Sequence, residues 1–304
     1  MLIIQIAGGL GNQMQQYAMY RKLLKAGADK DIKLDTSWFD KKTQDGVLAK
    51  RELELSYFQN LPLPVCTAEE RAYFLDRSIA RKVFEKVMPA ASKRFTESCM
   101  YHPEIFNMQD KYIEGYFACQ KYYDDIMDEL RDLFIFPTHP DTDINVRNMD
   151  LMNEMELRPS VSVHIRRGDY LDPENAALFG NIATDEYYEG AMDYFRALDP
   201  DTHFYIFTND PEYARQKYAD PERYTIVDHN TGKYSLLDIQ LMSHCMGNIC
   251  ANSTFSFWGA RLNRRKDKKL VRTLTMRNNQ PVDPELMHDY WAGWVLMDKD
   301  GKVR

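Results

Sequence analysis

Short apolar runs and amphipathic stretches follow one another along the chain, and their spacing predicts alternating strands and helices. Residues 2–7 (LIIQIA) read as a strand, and after the turn GGLGN the positions Met14, Tyr17, Ala18 and Leu24 recur at helical spacing, predicting a helix over 13–25. A second strand, 32–34, ends at Asp35. Residues 66–110 carry mixed charge and read as helical; YIEGYF at 112–117 reads as a short strand leading into an amphipathic helix that runs to Phe134. The segment 136–148 (FPTHPDTDINVRN), with two prolines and many polar turn residues, interrupts this pattern and marks a boundary, followed by a short helix before Arg158 and Pro159. Beyond it the alternation resumes, with strands predicted at 161–166, 203–208, 224–227, 248–251 and 269–273 and helices at 185–197, 211–217, 235–246 and 254–263. Strands alternating with helices imply parallel, helix-covered sheets. The expected fold class is therefore α/β, in two domains, residues 1–150 and 151–304.

Composition narrows the class. The 304 residues, 44% of them hydrophobic, are enough for two cores, and a formal net charge of -7 argues against nucleic-acid binding, which favours a basic surface. No apolar stretch approaches the ~20 residues that span a bilayer, and Met1 opens directly into a strand without a leader pattern, so no transmembrane segment and a cytoplasmic location are expected. The basic run RRKDKK at 264–269 is the one local candidate for peripheral contact with an anionic inner-membrane surface. Five scattered cysteines (Cys66, Cys99, Cys119, Cys245, Cys250) suit structural thiols rather than a disulfide framework or a zinc site. The unit formed by residues 9–35 resembles a dinucleotide-binding turn, but Met14 stands where a third glycine would, which argues against a nicotinamide or flavin cofactor.

The chemistry concentrates in VSVHIRRGDY, residues 161–170. On a strand alternate side chains share a face, so His164 and Arg166 point one way and Arg167 the other. A guanidinium presents a planar fork of donors that matches phosphate oxygens, so Arg166 beside His164 is suited to a diphosphate, while Arg167 can pair with Asp169 and brace the turn at Gly168. Ligands of open parallel sheets bind beyond the carboxyl ends of the strands. The other strands of this half end in Thr208-Asn209-Asp210, Asp228-His229-Asn230 and Asn252-Ser253-Thr254, polar loops expected on the same edge.

HIRRGDY resembles the signature of the bacterial-type α-1,2-fucosyltransferases of glycosyltransferase family 11. Three further segments agree with that family in order: IAGGLGNQMQQYA near the start, EGYFACQKYY at 114–123 and NSTFSFWGA at 252–260. Family members usually carry two tryptophans where this chain has Phe257 and Trp258. The resemblance implies a GT-B fold, two Rossmann-like domains facing a central cleft, the first mainly binding the acceptor and the second GDP-fucose. It implies an inverting transfer of L-fucose from GDP-β-L-fucose to the 2-hydroxyl of a terminal galactose on an oligosaccharide or lipid-linked glycan. Alternatives within its reach are another fucosyl linkage, α-1,6 or protein O-linked, and a non-catalytic sugar-nucleotide or glycan-binding protein.

On this reading the donor contacts come from Gly11, Asn12, His164, Arg166, Asp210, Asp228, Asn252, Ser253, Thr254 and Phe255. Asp210 can accept the paired N–H donors of guanine, with Asp228 as the alternative or as a ribose contact; an Asp-Pro-Glu helix cap is the plainer role for Asp210. Ser253, Thr254 and the helix start behind them can meet a phosphate. Catalysis is expected from Arg166, with His164 beside it and Asp169 as the candidate base. No D-x-D motif sits at a strand's carboxyl end, so no metal is expected to be required.

Overall fold

The opening apolar run becomes β1 (Leu2–Gln5), whose Leu2, Ile3 and Ile4 are buried on both faces because β1 lies inside its sheet. In this computed structural model residues 1–27, 31–40, 51–75, 92–98, 100–279 and 283–304 are described, Asp169 by its backbone alone. Helix α1 (Leu10–Ala26) starts within the GGLGN turn rather than after it, so Gly11 and Asn12 belong to its first turn. Gly27, at φ 67°, closes it. Then follow β2 (Ile32–Asp35), α2 (Ala68–Leu75), β3 (Arg94–Thr96), β4 (Lys111–Glu114) and α3 (Met127–Leu133). All pairings are parallel, in the order β2-β1-β4-β3. The expected helical reading of 66–110 holds for α2 and is corrected by β3 and by the 3-10 turn Pro103–Asn107, while 76–91 lie outside the described residues. β3 is an edge strand with Arg94 and Thr96 exposed, so it lacks the apolar alternation that would have revealed it.

The chain divides into two units, Met1–Ile135 and Phe136–Arg304. The expected line at 150/151 would cut α4 (Thr142–Leu157), a helix capped by Asp141, whose side chain accepts the Asp143 (2.9 Å) and Ile144 (3.4 Å) N–H groups. This helix packs on elements of the second unit and belongs to it whole.

The second unit continues with β5 (Ser160–Ile165), α5 (Pro173–Phe179), α6 (Asp185–Leu198), β6 (His203–Thr208), α7 (Pro211–Lys217), β7 (Tyr224–Val227), α8 (Leu236–His244), β8 (Gly247–Cys250), α9 (Thr254–Leu262), β9 (Lys269–Thr273), α10 (Pro284–Tyr290) and β10 (Val295–Met297). Its six strands are all parallel, in the order β10-β9-β8-β5-β6-β7. Read from β7, this is the doubly wound order 3-2-1-4-5-6. Val161, Val163 and Ile165 pack with Tyr187, Met192 and Phe195 of α6, while Ser162 and His164 alternate to the other face. The two parallel α/β units match the layers expected. α5, α10 and β10 were not predicted.

Among the described residues no helix is long and apolar enough to cross a membrane. Cys245 and Cys250 are buried thiols; burial raises both pKa values, that of Cys250 to about 12, which makes them unreactive. Cys99 lies outside the described residues.

Candidate active site

The second sheet winds in opposite directions from β5 and β8, so a crevice opens between the carboxyl ends of these neighbouring strands. Beyond β5 come Arg166, Arg167 and Gly168; beyond β8 come Asn252 and Ser253. A cavity of about 340 Å³ lies there, lined among others by Arg166, Arg167, Tyr170, Phe179, Asn181 and Asn252.

Arg166 is half-buried with its guanidinium 5.5 Å from the centre of the Tyr170 ring. Tyr170 in turn stacks on Phe179, centroids 5.0 Å apart at 17°, and its hydroxyl donates to the Asn252 carbonyl at 3.3 Å. The aromatic pair thus sets the orientation of the cation and ties it to the β8 loop. Phe179 comes from α5, an insertion between β5 and α6. Its limits were visible in the sequence as Asp172-Pro173-Glu174 and Gly180, standard start and stop signals.

His164 does reach the strand end, but only 5% of it is exposed, and its ring centre lies 5.5 Å from that of Phe255. Burial, with the Arg166 charge adding to it, pushes its pKa down to about 3. The ring is therefore neutral, and it adds no positive charge beside Arg166. Its Nδ1 has no hydrogen-bond partner among the described residues.

Arg167 reaches to the loop after β6. Its Nε donates to Asp210 Oδ2 at 3.1 Å, its guanidinium lies 3.8 Å from the Tyr213 ring centre, and its backbone N–H donates to Asn209 Oδ1 at 2.9 Å. The loop after β6 therefore grips the loop after β5. Gly168, at φ +33°, is required by this contact, because a Cβ there would meet Asn209 Nδ2 at 2.2 Å. Asp169 falls in this turn, with its side chain outside the described residues.

Asp210 uses its other oxygen to cap α7, accepting the Tyr213 N–H at 3.2 Å. Both plain roles, cap and ion-pair partner, are filled, and an ionised carboxylate still has acceptor sites left on each oxygen. Asp228 pairs with Arg215. Asn252 lines the cavity and also braces it. Its buried amide donates to the carbonyls of Phe179 (3.1 Å) and Met276 (3.3 Å), fastening α5 and the segment after β9 to the β8 loop, so those donors face the protein and not a ligand. Ser253 is the N-cap of α9 and accepts the Phe255 N–H at 3.4 Å; Thr254 opens that helix half-buried. His164, Arg166, Ser253, Thr254 and Phe255 thus gather around the switch point, with Asp210 joined to them through Arg167.

Gly11 and Asn12 lie in the first unit, at the carboxyl end of β1, where that sheet also reverses direction. Gly8 has φ +79°, and the Asn12 amide folds over it, 2.7 Å from where a Cβ would be. Among the described residues no group of three or more His, Cys, Asp or Glu side chains is placed to hold a metal ion.

The family model for glycosyl transferase family 11 matches residues 79–298. The chain is 29% identical to the O-antigen biosynthesis glycosyltransferase WbnK of Escherichia coli over 287 residues, 88% of this chain and 91% of that protein. It is 29% identical to an alpha-1,2-colitosyltransferase of Escherichia coli over 85% of this chain and 86% of that protein. A shorter match, 33% identity over 107 residues, relates 34% of this chain to 29% of galactoside alpha-(1,2)-fucosyltransferase 1 of Leontopithecus chrysomelas.

Proposed function

The chain belongs to glycosyl transferase family 11, and on that premise we propose that it transfers L-fucose from GDP-β-L-fucose to the 2-hydroxyl of a terminal galactose, with inversion and without a metal. The observation that carries this reading is Arg166, held by Tyr170 at the switch point of the second sheet and lining its cavity. Glycosyl transfer develops positive charge on the sugar and negative charge on the departing diphosphate. Arg166 and the N–H groups at the start of α9 are fixed donors for that departing charge, which is the assistance a divalent cation would otherwise supply. His164, neutral by burial, packs beneath Phe255 and shapes the floor. On this reading the second unit holds the donor, and the GGLGN turn of the first unit, with Gly11 and Asn12, takes part in acceptor binding. On this reading the reaction runs in the cytoplasm, with the basic run at 264–269 as the face toward an anionic membrane.

The alpha-1,2-colitosyltransferase relative favours a second reading for the donor sugar, a fucose analogue lacking one hydroxyl. Mass spectrometry of products from GDP-fucose and GDP-colitose with a panel of galactosides, followed by linkage analysis, decides between them. A 2-linked fucosyl galactoside formed at full rate in excess EDTA is expected. Transfer to another position, or loss of activity restored by Mn²⁺ or Mg²⁺, would overturn the linkage or the metal-free assignment.

A further inference from the structure

The segment EGYFACQKYY at 114–123 supplies none of the residues gathered around Arg166, yet it organises a second cavity. Its Tyr122 is fully buried, and the hydroxyl accepts the His102 N–H at 2.9 Å and donates to the Met100 carbonyl at 2.8 Å. These two bonds fix the chain on either side of Tyr101. The same ring packs against Tyr101, centroids 5.0 Å apart, and against Phe106, 6.4 Å apart, which stands in the 3-10 turn Pro103–Asn107. Tyr101 and Phe106 are thus backed by one buried ring, while each stays half-buried rather than sealed.

Both line a cavity of about 690 Å³, together with Lys22 of α1 and with Lys121, Asp124 and Asp125. Lys121 Nζ lies 5.5 Å from the Tyr101 ring centre and Lys22 Nζ 5.7 Å from that of Phe106; Lys22 also pairs with Asp125 at 2.6 Å. The volume suits a small organic ligand, and the lining selects its class. Two ammonium groups and two carboxylates cancel, so an anion such as phosphate gains no net attraction, and a purely apolar molecule would strip water from four charges. A pyranose meets both conditions. Its C–H face lies against the negative face of an aromatic ring, and its hydroxyls donate to carboxylates and accept from ammonium groups.

The lining residues all belong to the first unit, and the cavity is remote from the GGLGN turn. Lys22 follows Gly11 by eleven residues in α1, about 16 Å along the axis at 1.5 Å per residue. One sugar ring cannot touch both.

We propose that this cavity is a second saccharide site, which holds a neutral sugar ring of the acceptor glycan away from the galactose that receives fucose. The inference rests on the fucosyl-transfer reading for the glycan's role as acceptor. Such a site adds binding for extended acceptors and none for a disaccharide, so it selects acceptors by length.

The test compares kcat/KM for lactose with that for a neutral galactose-terminated hexasaccharide, and records saturation transfer from the protein to the hexasaccharide by NMR in the presence of GDP. Wild type should prefer the hexasaccharide. Phe106→Ala should cut that preference on the order of tenfold, mostly through KM, as one stacking face is lost, and Phe106→Trp should keep it. Saturation transfer to rings other than the terminal galactose should fade in Phe106→Ala. An equal preference in wild type and Phe106→Ala overturns the site, as does inorganic phosphate that displaces the hexasaccharide from those contacts. A wild-type dimer in sedimentation that Phe106→Ala dissociates would show the rings covered by a second copy of the chain, and overturns it too. Should Phe106→Ala fail to fold, the exposed Lys121 carries the same comparison: Lys121→Ala should lower the preference by a smaller factor, and an unchanged preference removes the site. Wild type that transfers no fucose yet binds the hexasaccharide through Phe106 refutes the functional reading and upholds saccharide binding, whereas an active wild type without a length preference refutes the site alone.

Discussion

Replacing Asn252 by alanine tests whether this residue holds a ligand or holds the protein. Its buried amide donates two hydrogen bonds, to the Phe179 carbonyl at the end of α5 (3.1 Å) and to the Met276 carbonyl after β9 (3.3 Å). Deleting it removes both bonds and leaves two carbonyls in a site where the donor was only 4% exposed. A net bond contributes about 0.5–1.5 kcal/mol and a buried group left unsatisfied costs about 1–3 kcal/mol, so with one bond long the loss should be about 2–3 kcal/mol. In a domain of this size each kcal/mol moves the melting temperature by roughly 2–4 °C, giving a drop of about 4–12 °C. Thermal unfolding followed by circular dichroism, with GDP titrated calorimetrically into the same variant, reads both quantities. An unchanged melting temperature together with GDP binding weakened tenfold or more would refute the brace and return Asn252 to the ligand contacts.

Other substitutions address the remaining side chains. Arg166→Ala should lower kcat on the order of 10²- to 10³-fold in a steady-state transfer assay, and Arg166→Lys should not restore it, because a point charge lacks the planar fork that Tyr170 orients. A near wild-type rate for either would remove Arg166 from leaving-group stabilisation. Asp210→Asn keeps an oxygen for the Tyr213 cap but exchanges the other for a donor, so calorimetry should show GDP binding weaker by about 1–3 kcal/mol if Asp210 reads guanine. Unchanged affinity would leave it as helix cap and Arg167 partner. His164 binds its proton more weakly folded than unfolded, so its contribution to stability is complete above pH 6.5 and is lost as pH falls toward about 3, by about 1.4 kcal/mol per unit. Urea unfolding at pH 7 and at lower pH should therefore fall less steeply for His164→Asn than for wild type, and equal slopes would show that His164 is not buried neutral.

Much of the second unit was legible because its strands are short apolar runs bounded by turn residues. The predicted and observed limits coincide at β6, β7, α7 and β9, where hydrophobic period and flanking polar or turn residues agree. The motif at β5 likewise announced a strand ending in chemistry. The elements that escaped, β3, α5, α10 and β10, are short, and β3 lies at a sheet edge, where one side of the strand needs no partner and the apolar pattern fades.

Local sequence thus determined which segments become strands and helices, and that polar loops follow the strands, since periodicity and turn chemistry act over a few residues. Only the tertiary structure decided what those loops do. The order β10-β9-β8-β5-β6-β7 brought the ends of β5 and β8, over 80 residues apart in the chain, to one switch point. It also joined Arg167 to Asp210, buried His164 until it lost its charge, and turned the Asn252 amide inward. Partner choice and desolvation depend on which distant segments fill the surrounding space, and that information resides in the packed chain as a whole rather than in any window of it.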